Sequence, residues 1–420
     1  MIKEVLKKFI PSFLLSWYHF LLAFLGAIFY LFPSKKLIVI GVTGTNGKST
    51  VVELTREILN EAGHKTASLS SIIFKIGNKE EPNLLKQTMP GRFQIQKFLR
   101  KAANSGCKYA VLEVTSEGIL QHRHRFIDFT VAVFTNLTPE HIEAHKGFEN
   151  YKKAKGKLFE VTKGVHVINL DDKNKDYFLT FKAKEKIGFT ITKEKKQGVP
   201  VVGAEGIQAS QYGSKFLIND KEFNIQLIGE FNIQNSLTAV SIAASQGISL
   251  EVCKKALEKV KGISGRMEEV ISSPFHVFVD YAFTPAALRK VYESLKKNYN
   301  SRLLCLLGAC GGGRDKWKRP TLGQIAEEYC DEIVLTNEDP YDENPEEILE
   351  HIQRGIKQKQ SKKILERRKA ISHILKKANP NDIVVITGKG SEPWICVENG
   401  KKIPWDDRKI AKEEFTKLSL

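Results

Sequence analysis

The chain has 420 residues, of which 42% are hydrophobic, 27% charged and 9% aromatic. That is length for two or three packed domains and too ordinary a mixture for a disordered or fibrous protein. Lys and Arg total 65 against 48 Asp and Glu, a net charge of +17 that points to an anionic partner without saying which. Six cysteines at 107, 253, 305, 310, 330 and 396 form no C-x-x-C pair, which argues against a zinc site or a disulfide framework and suits a reducing, cytoplasmic compartment.

Positions 13–32 read FLLSWYHFLLAFLGAIFYLF, twenty residues without a formal charge, with Lys3, Lys7 and Lys8 before them and Lys35 and Lys36 after. This is the length of a bilayer span, and apolar side chains occur all round the helix, which argues against a surface amphipathic helix. Three readings stay open: membrane association at the inner face, a hydrophobic helix packed on the protein or an oligomer interface, and a cleaved signal, which would lack a small-residue cleavage site. Lysines on both flanks leave the orientation undecided.

Beyond it, strands and helices alternate, as in an α/β fold. A β-branched run at 37–40 feeds the turn GVTGTNGKST at 41–50, and a helix follows to about Gly63. Further strands are expected at 109–114, 130–135 and 165–169, and the lysine-rich stretch 182–196 reads as solvated hairpins or loops. A second series begins near 275, where HVFVDY, RLLCLLG, EIVLT and DIVVITG alternate with helices over about 284–297, 318–330 and 345–357. The expected organisation is a hydrophobic N-terminal segment (1–36), a central ATP-binding domain with a P-loop-type, mostly parallel sheet (37–263), and a smaller Rossmann-like C-terminal α/β domain (264–420).

Gly44, Thr45, Asn46, Gly47, Lys48, Ser49 and Thr50 lie between a buried strand and a helix, where backbone N–H groups and a helix N-terminus can face a triphosphate. Lys48 would lie along the phosphates and the Ser49 hydroxyl would take a Mg²⁺ position; Val42 stands where the strict P-loop pattern has its first glycine. In LEVTSEG, Glu113 closes an apolar strand, a location suited to a hard divalent cation. The next strand ends in FTNLTPEHIEAH, which carries Asn136 and His141, and NYKKAKGKLF follows, with Lys155 among other lysines.

TGTNGKST, EVTSEG, Gln121-x-Arg123, TNLTPEHIEAH, NYKKAKGKLF, GEFNIQN, GRME, DYAFTP, GxxGGGRDxxKRP and GKGSE occur in the order seen in Mur ligases, and from about Leu37 onward the chain resembles the UDP-N-acetylmuramoyl-tripeptide synthetases. The resemblance implies an ATP-dependent, ADP-forming ligase that joins an amino acid to the peptide of a UDP-N-acetylmuramoyl precursor through an acyl phosphate. It assigns Lys48 and Ser49 to the phosphates and the first Mg²⁺, Glu113 to metal, His141 to a second Mg²⁺, and Lys155 to the lysine that the family carbamylates with CO₂. It further implies nucleotide contacts from Asn136, Asn235, Arg266 and Asp280, contacts to the muramoyl peptide from Thr88, Thr115, Gln121 and Arg123, and an amino-acid pocket of Arg314, Asp339, Gly388 and Glu392.

Some positions depart from the pattern. Phe283 replaces the usual His of DYAHTP, and Ala286 stands where an acid is common. Tyr341 replaces the arginine with which diaminopimelate-adding members bind the distal carboxylate, so the sequence disfavours diaminopimelate, and Glu338 and Asp339 suit a cationic side chain such as lysine. Only 36 residues precede the first strand, where the family carries a uridine diphosphate-binding domain, so a membrane-linked muramoyl peptide is an alternative acceptor. A folylpolyglutamate-type or polyamino-acid-type ligase is the other alternative. No nucleic-acid partner is expected, because the basic residues are spread along the chain and form no recognised nucleic-acid module.

Overall fold

The computed structural model describes residues 11–85 and 87–418; Lys3, Lys7 and Lys8 lie outside them. The chain opens with helix α1 (Ser12–Phe29), which ends where Leu31 and Phe32 take left-handed backbone conformations at φ 55° and 48°. That break, and the Ser16 and His19 side chains engaged with His122 and Arg92, correct the expectation of a span over 13–32. Among the described residues no helix is long and apolar enough to cross a membrane. Instead α1 packs on helix α3 (Arg92–Asn104) through Ala23, Gly26 and Ala27, the small residues of one stripe.

A nine-stranded sheet forms the first unit. Its strands are β1 (Ile38–Thr43), β2 (Thr66–Leu69), β3 (Ile73–Ile76), β4 (Lys79–Pro82), β5 (Tyr109–Glu113), β6 (Phe129–Phe134), β7 (Val165–Asn169), β8 (Glu185–Thr190) and β9 (Val201–Gly203). The order is β4-β3-β2-β5-β1-β6-β7-β8-β9, parallel except for the β2-β3-β4 meander at one edge. The central strands are buried on both faces, which is why they read as unbroken Val/Ile/Leu/Ala runs. Helix α2 (Lys48–Glu61) and the long helix α6 (Glu230–Ser245) cover one face, and α3 and α5 (Phe148–Val161) the other. Between α3 and β6 lies the short helix α4 (Ser116–Leu120), whose N-cap Thr115 accepts from the Gly118 N–H. Strand β8 corrects the reading of 182–196 as loop. Lysines crowd its flanks, but Ile187 and Phe189 point into the core and the strand pairs in parallel with β7. A three-stranded antiparallel sheet, β10 (Glu205–Ser210), β11 (Gly213–Ile218) and β12 (Lys221–Ile225), packs its Phe216 and Phe223 onto the same core.

The second unit is a six-stranded sheet of β13 (Glu268–Ile271), β14 (His276–Asp280), β15 (Leu303–Leu307), β16 (Glu332–Leu335), β17 (Ser361–Lys363) and β18 (Ile383–Thr387) in the order β13-β14-β18-β15-β16-β17, with only β13 antiparallel. Helices α7 (Pro285–Tyr299) and α8 (Lys318–Tyr329) line one face, and α9 (Arg367–Lys377) lies on the other. Thr284 caps α7 with a bond from the Ala287 N–H, and Pro285 follows at its first position. Cys305 on β15 and Cys330 after α8 form a disulfide, which the scattered cysteine spacing does not announce. Both sheets turn the C-terminal ends of their parallel strands toward the cleft between the units, where α/β proteins build their sites.

Candidate active site

The cleft is lined by the turn after β1, the ends of β5 and β6, the N-terminus of α6 and three loops of the second unit. Gly47 sits at φ 84°, a left-handed conformation that favours glycine, and a Cβ there would come within 2.4 Å of Asn235 Oδ1. The turn is braced from behind. Asn136 Oδ1 accepts from the Asn46 N–H at 3.0 Å, and its Nδ2 donates to Asn46 O at 3.0 Å. Asn235 in turn donates to Asn232 Oδ1 at 3.0 Å. The turn thus opens into the N-terminus of α2, leaving backbone N–H groups toward the cleft.

Ser49 Oγ donates to Glu113 Oε2 at 2.8 Å and lies 2.8 Å from Ser71 Oγ, while Lys48 Nζ is 3.7 Å from Glu113 Oε1. A hydroxyl and a carboxylate thus meet beside the phosphate-binding turn, a hard-oxygen pair of the type Mg²⁺ takes along with water and phosphate oxygens. Among the described residues no group of three or more His, Cys, Asp or Glu side chains converges on a metal position. Burial lowers the Lys48 pKa against the opposing pull of Glu113. Lys155 is deeper, 2% exposed, with Nζ donating to Gly44 O at 2.7 Å and lying 4.5 Å from the Tyr151 ring centroid. Burial, and then the charge of Lys48, hold its pKa well below the ordinary lysine value. His141 has φ 56° and a pKa lowered to about 2 by burial and the cations Arg314, Lys155 and Lys318, so its imidazole is neutral at working pH.

Arg266 reaches across from the second unit: Nη2 donates to Ser71 Oγ at 3.2 Å and its guanidinium stacks 4.4 Å from the Tyr281 ring. Asp280 also lines the cleft, but both its oxygens accept backbone N–H groups, from Met267 at 2.7 Å and Ala282 at 2.6 Å. Thr88, Thr115, Arg123 and Arg314 line the same cavity. Gln121 does not line it; its Oε1 accepts from Arg123 Nη2 at 2.8 Å. Asp339, Gly388 and Glu392, expected in the amino-acid pocket, do not line the cavity; they surround a residue that sequence reasoning missed. Lys389, fully buried, donates to both Asp339 oxygens at 2.8 and 2.9 Å and to Glu392 Oε2 at 2.7 Å. Next to it Glu338, its pKa raised by burial and by Asp339, accepts from Cys310 Sγ at 2.8 Å.

Also missed is the clasp between the units. The Asp315 carboxylate accepts from the backbone N–H groups of Ile142 and Glu143 at 3.1 and 3.0 Å, the Lys316 N–H donates to Glu143 Oε1 at 2.9 Å, and Lys318 Nζ meets Glu140 Oε1 at 2.8 Å with both side chains buried. The residues on both sides of His141 are therefore held by the loop that carries Arg314. R-D-x-x-K is visible in the sequence, but its partners lie more than 170 residues earlier.

Residues 42–243 match the Mur ligase middle domain and residues 265–390 the Mur ligase, glutamate ligase domain. A UDP-N-acetylmuramoyl-L-alanyl-D-glutamate–2,6-diaminopimelate ligase of Caldanaerobacter subterraneus subsp. tengcongensis is 37% identical over 399 residues, covering 93% of this chain and 81% of that protein. The chain belongs to the Mur ligase family. As a Mur ligase it is an ATP-dependent, ADP-forming amide ligase. A UDP-N-acetylmuramyl-tripeptide synthetase of Roseiflexus is 33% identical over 425 residues, covering 94% of this chain and 82% of that one. Among solved structures, a diaminopimelate ligase of the family matches at TM-score 0.61 and 31% identity over 91% of this chain and 79% of its own. The folylpolyglutamate synthase of Mycobacterium tuberculosis matches in fold at TM-score 0.72 and 17% identity, over 88% of this chain and 92% of its own.

These relatives overturn the reading of Tyr341 as evidence against diaminopimelate, since diaminopimelate ligases are among the relatives at 33–37% identity. Tyr341 explains why the substitution is a poor guide. Its ring packs on Gly312, where a Cβ would come within 2.6 Å of Cδ2, and its N–H donates to Cys396 O at 3.1 Å. The residue buttresses the glycine loop that carries Arg314.

Proposed function

We propose that this Mur ligase adds meso-diaminopimelate to UDP-N-acetylmuramoyl-L-alanyl-D-glutamate, converting ATP to ADP and phosphate. The convergence, in one cleft, of a phosphate turn, a hydroxyl–carboxylate pair and Arg314 from the opposite unit supports ATP-driven ligation, and the diaminopimelate ligases at 33–37% identity support the choice of amino acid. In this reading the acceptor's terminal carboxylate attacks the γ-phosphorus of ATP and ADP leaves. The amine of the incoming amino acid then attacks the acyl phosphate carbon, loses one proton, and expels phosphate. The α2 N-terminus and Lys48 hold the phosphates, and Arg266 and the Asn232–Asn235 pair hold the nucleotide side. Arg123 and Thr115 orient the acceptor, and Arg314 binds the α-carboxylate of the amino acid.

Ser49 and Glu113 would hold one Mg²⁺, and the neutral His141 imidazole with a modified Lys155 a second; such ions neutralise charge on the transferring phosphoryl group. Lys155 suits carbamylation. A buried ammonium beside Lys48 pays for desolvation and for like charge, and its lowered pKa favours the free amine. That amine adds CO₂, forms N6-carboxylysine and releases a proton, which places an anion in the field of Lys48 where an ammonium would be repelled.

The 420-residue chain incubated with ATP, Mg²⁺, the dipeptide precursor and diaminopimelate should release ADP only when both acceptor and amino acid are present. ADP release that ignores the muramoyl peptide would sink the proposal.

A further inference from the structure

We infer that the outward face of α1, with the adjoining edge of α3, is a docking surface for an anionic lipid bilayer, on which the helix lies in the plane of the interface.

Helix α1 buries only a narrow stripe. Gly26 lets its backbone approach Arg92 and Phe93 of α3, where an added Cβ would sit 3.5 Å from the Arg92 carbonyl oxygen and the Phe93 Cα. Arg100 Nε donates to Tyr30 O at 2.9 Å and Ser16 Oγ pairs with His122 Nε2 at 2.8 Å, so the helix is fastened along its length. The opposite side holds Trp17, Leu21, Leu25 and Phe29, which expose 69, 52, 44 and 70% of their surface, with Phe13, Leu14 and Ile28 beside them and Phe93 continuing the surface on α3. An apolar patch on this scale marks an interaction site.

Charge selects the occupant. Positions 12–36 and 83–112 contain no Asp or Glu. Lys35, Lys36, Lys97 and Lys101 are exposed around the apolar side chains. A second copy of the chain would set two basic rims against each other. An anionic bilayer accepts both features: the apolar side chains enter the headgroup boundary, Trp17 and Tyr18 suit the interfacial belt, and the lysines meet lipid phosphates. This also gives the two signals, apolar and basic, that stable peripheral binding needs.

The surface adjoins the acceptor side of the cleft. Arg92, whose side chain meets His19 of α1, donates through Nε to Gln121 O at 3.0 Å, and Gln121 holds Arg123. On the proposed function, in which Arg123 orients the acceptor, the docking surface is thus linked through Arg92 and Gln121 to that side of the site.

The test is vesicle flotation of the full chain. Wild type should float with phosphatidylglycerol–phosphatidylcholine vesicles, bind pure phosphatidylcholine weakly, and be released by salt. The double variant Leu21→Glu/Leu25→Glu should remain at the bottom. Should that variant fail to fold by circular dichroism, Lys97→Gln/Lys101→Gln, at solvent-exposed positions, carries the test. Each lost charge is expected to weaken partitioning about fivefold, about 25-fold together. The inference is overturned if wild type does not float with the anionic vesicles, if the folded variants float as wild type does, or if sedimentation shows a dimer that Leu21→Glu/Leu25→Glu dissolves while lipid is not bound.

Discussion

Replacing Asp407 by Asn tests how the second unit holds the strand ends that carry Glu338, Asp339, Gly388 and Lys389. Arg367 donates through Nε and Nη2 to the two Asp407 oxygens at 2.8 and 2.6 Å, and to the carbonyls of Asn337 at 3.1 Å and Thr387 at 2.9 Å. Asp407 also accepts from Trp405 Nε1 at 2.7 Å. The Arg367 side chain is 1% exposed and that of Asp407 not at all, so an amide leaves a guanidinium buried without its counter-charge. Breaking one partner of such a pair costs about 3–5 kcal/mol, and at about 2–4 °C per kcal/mol for a unit of this size the melting point falls by roughly 6–20 °C. The same change loosens the ends of β16 and β18, so the KM for the amino acid should rise while ATP binding is kept. Thermal denaturation by circular dichroism, with Arg367→Met/Asp407→Leu as a control that removes both charges, checks the reasoning. A single variant melting within about 2 °C of wild type, or a double variant as unstable as the single, refutes it, because the cost would then not come from an uncompensated charge.

Three further outcomes follow from the geometry. Gly47→Ala forces a left-handed alanine, costing about 1–2 kcal/mol, and drives its Cβ onto Asn235 Oδ1, so calorimetry should show ATP affinity falling about tenfold or more; unchanged affinity would remove Gly47 from the phosphate turn. Lys155→Arg keeps a cation that cannot carry a carbamate, so ligation should be lost with ATP binding intact, and intact-protein mass spectra in bicarbonate should lose a CO₂ adduct present in wild type; full activity would exclude the modification. His124 is buried with a pKa lowered to about 3, chiefly by burial and then by Arg125. The folded value lies below the unfolded one, so its contribution is complete above about pH 6.5 and lost as pH falls toward 3, at about 1.4 kcal/mol per pH unit. Urea unfolding at pH 7 and pH 5 should show a smaller loss in His124→Gln than in wild type, and equal losses would contradict this.

The parts of the fold legible in the sequence were those set by local pattern. The runs at β1, β5, β6 and β18 are apolar because both faces are covered, and strand, G-K-S and helix together mark the phosphate turn. Strand β8 escaped notice because lysines surround its two core residues, and the end of α1 because Leu31 and Phe32 adopt left-handed conformations that no glycine signals. In the site, Lys155 looks like any surface lysine until α5 carries it under Gly44. Lys389, Asp315 and the Lys318–Glu140 pair acquire meaning only once distant segments meet, which spacing along one chain does not encode. Tyr341 misled because its replacement of an arginine was read as the loss of a ligand contact, whereas the tyrosine packs on the glycine loop.

Ligation itself is read from the mass of the product. With UDP-N-acetylmuramoyl-L-alanyl-D-glutamate, ATP, Mg²⁺ and an equimolar amino-acid mixture containing meso-diaminopimelate, the full chain should yield the precursor extended by one diaminopimelate residue, with one ADP per product. ADP formation without any extended muramoyl peptide, or extension of a folate in its place, would contradict the account.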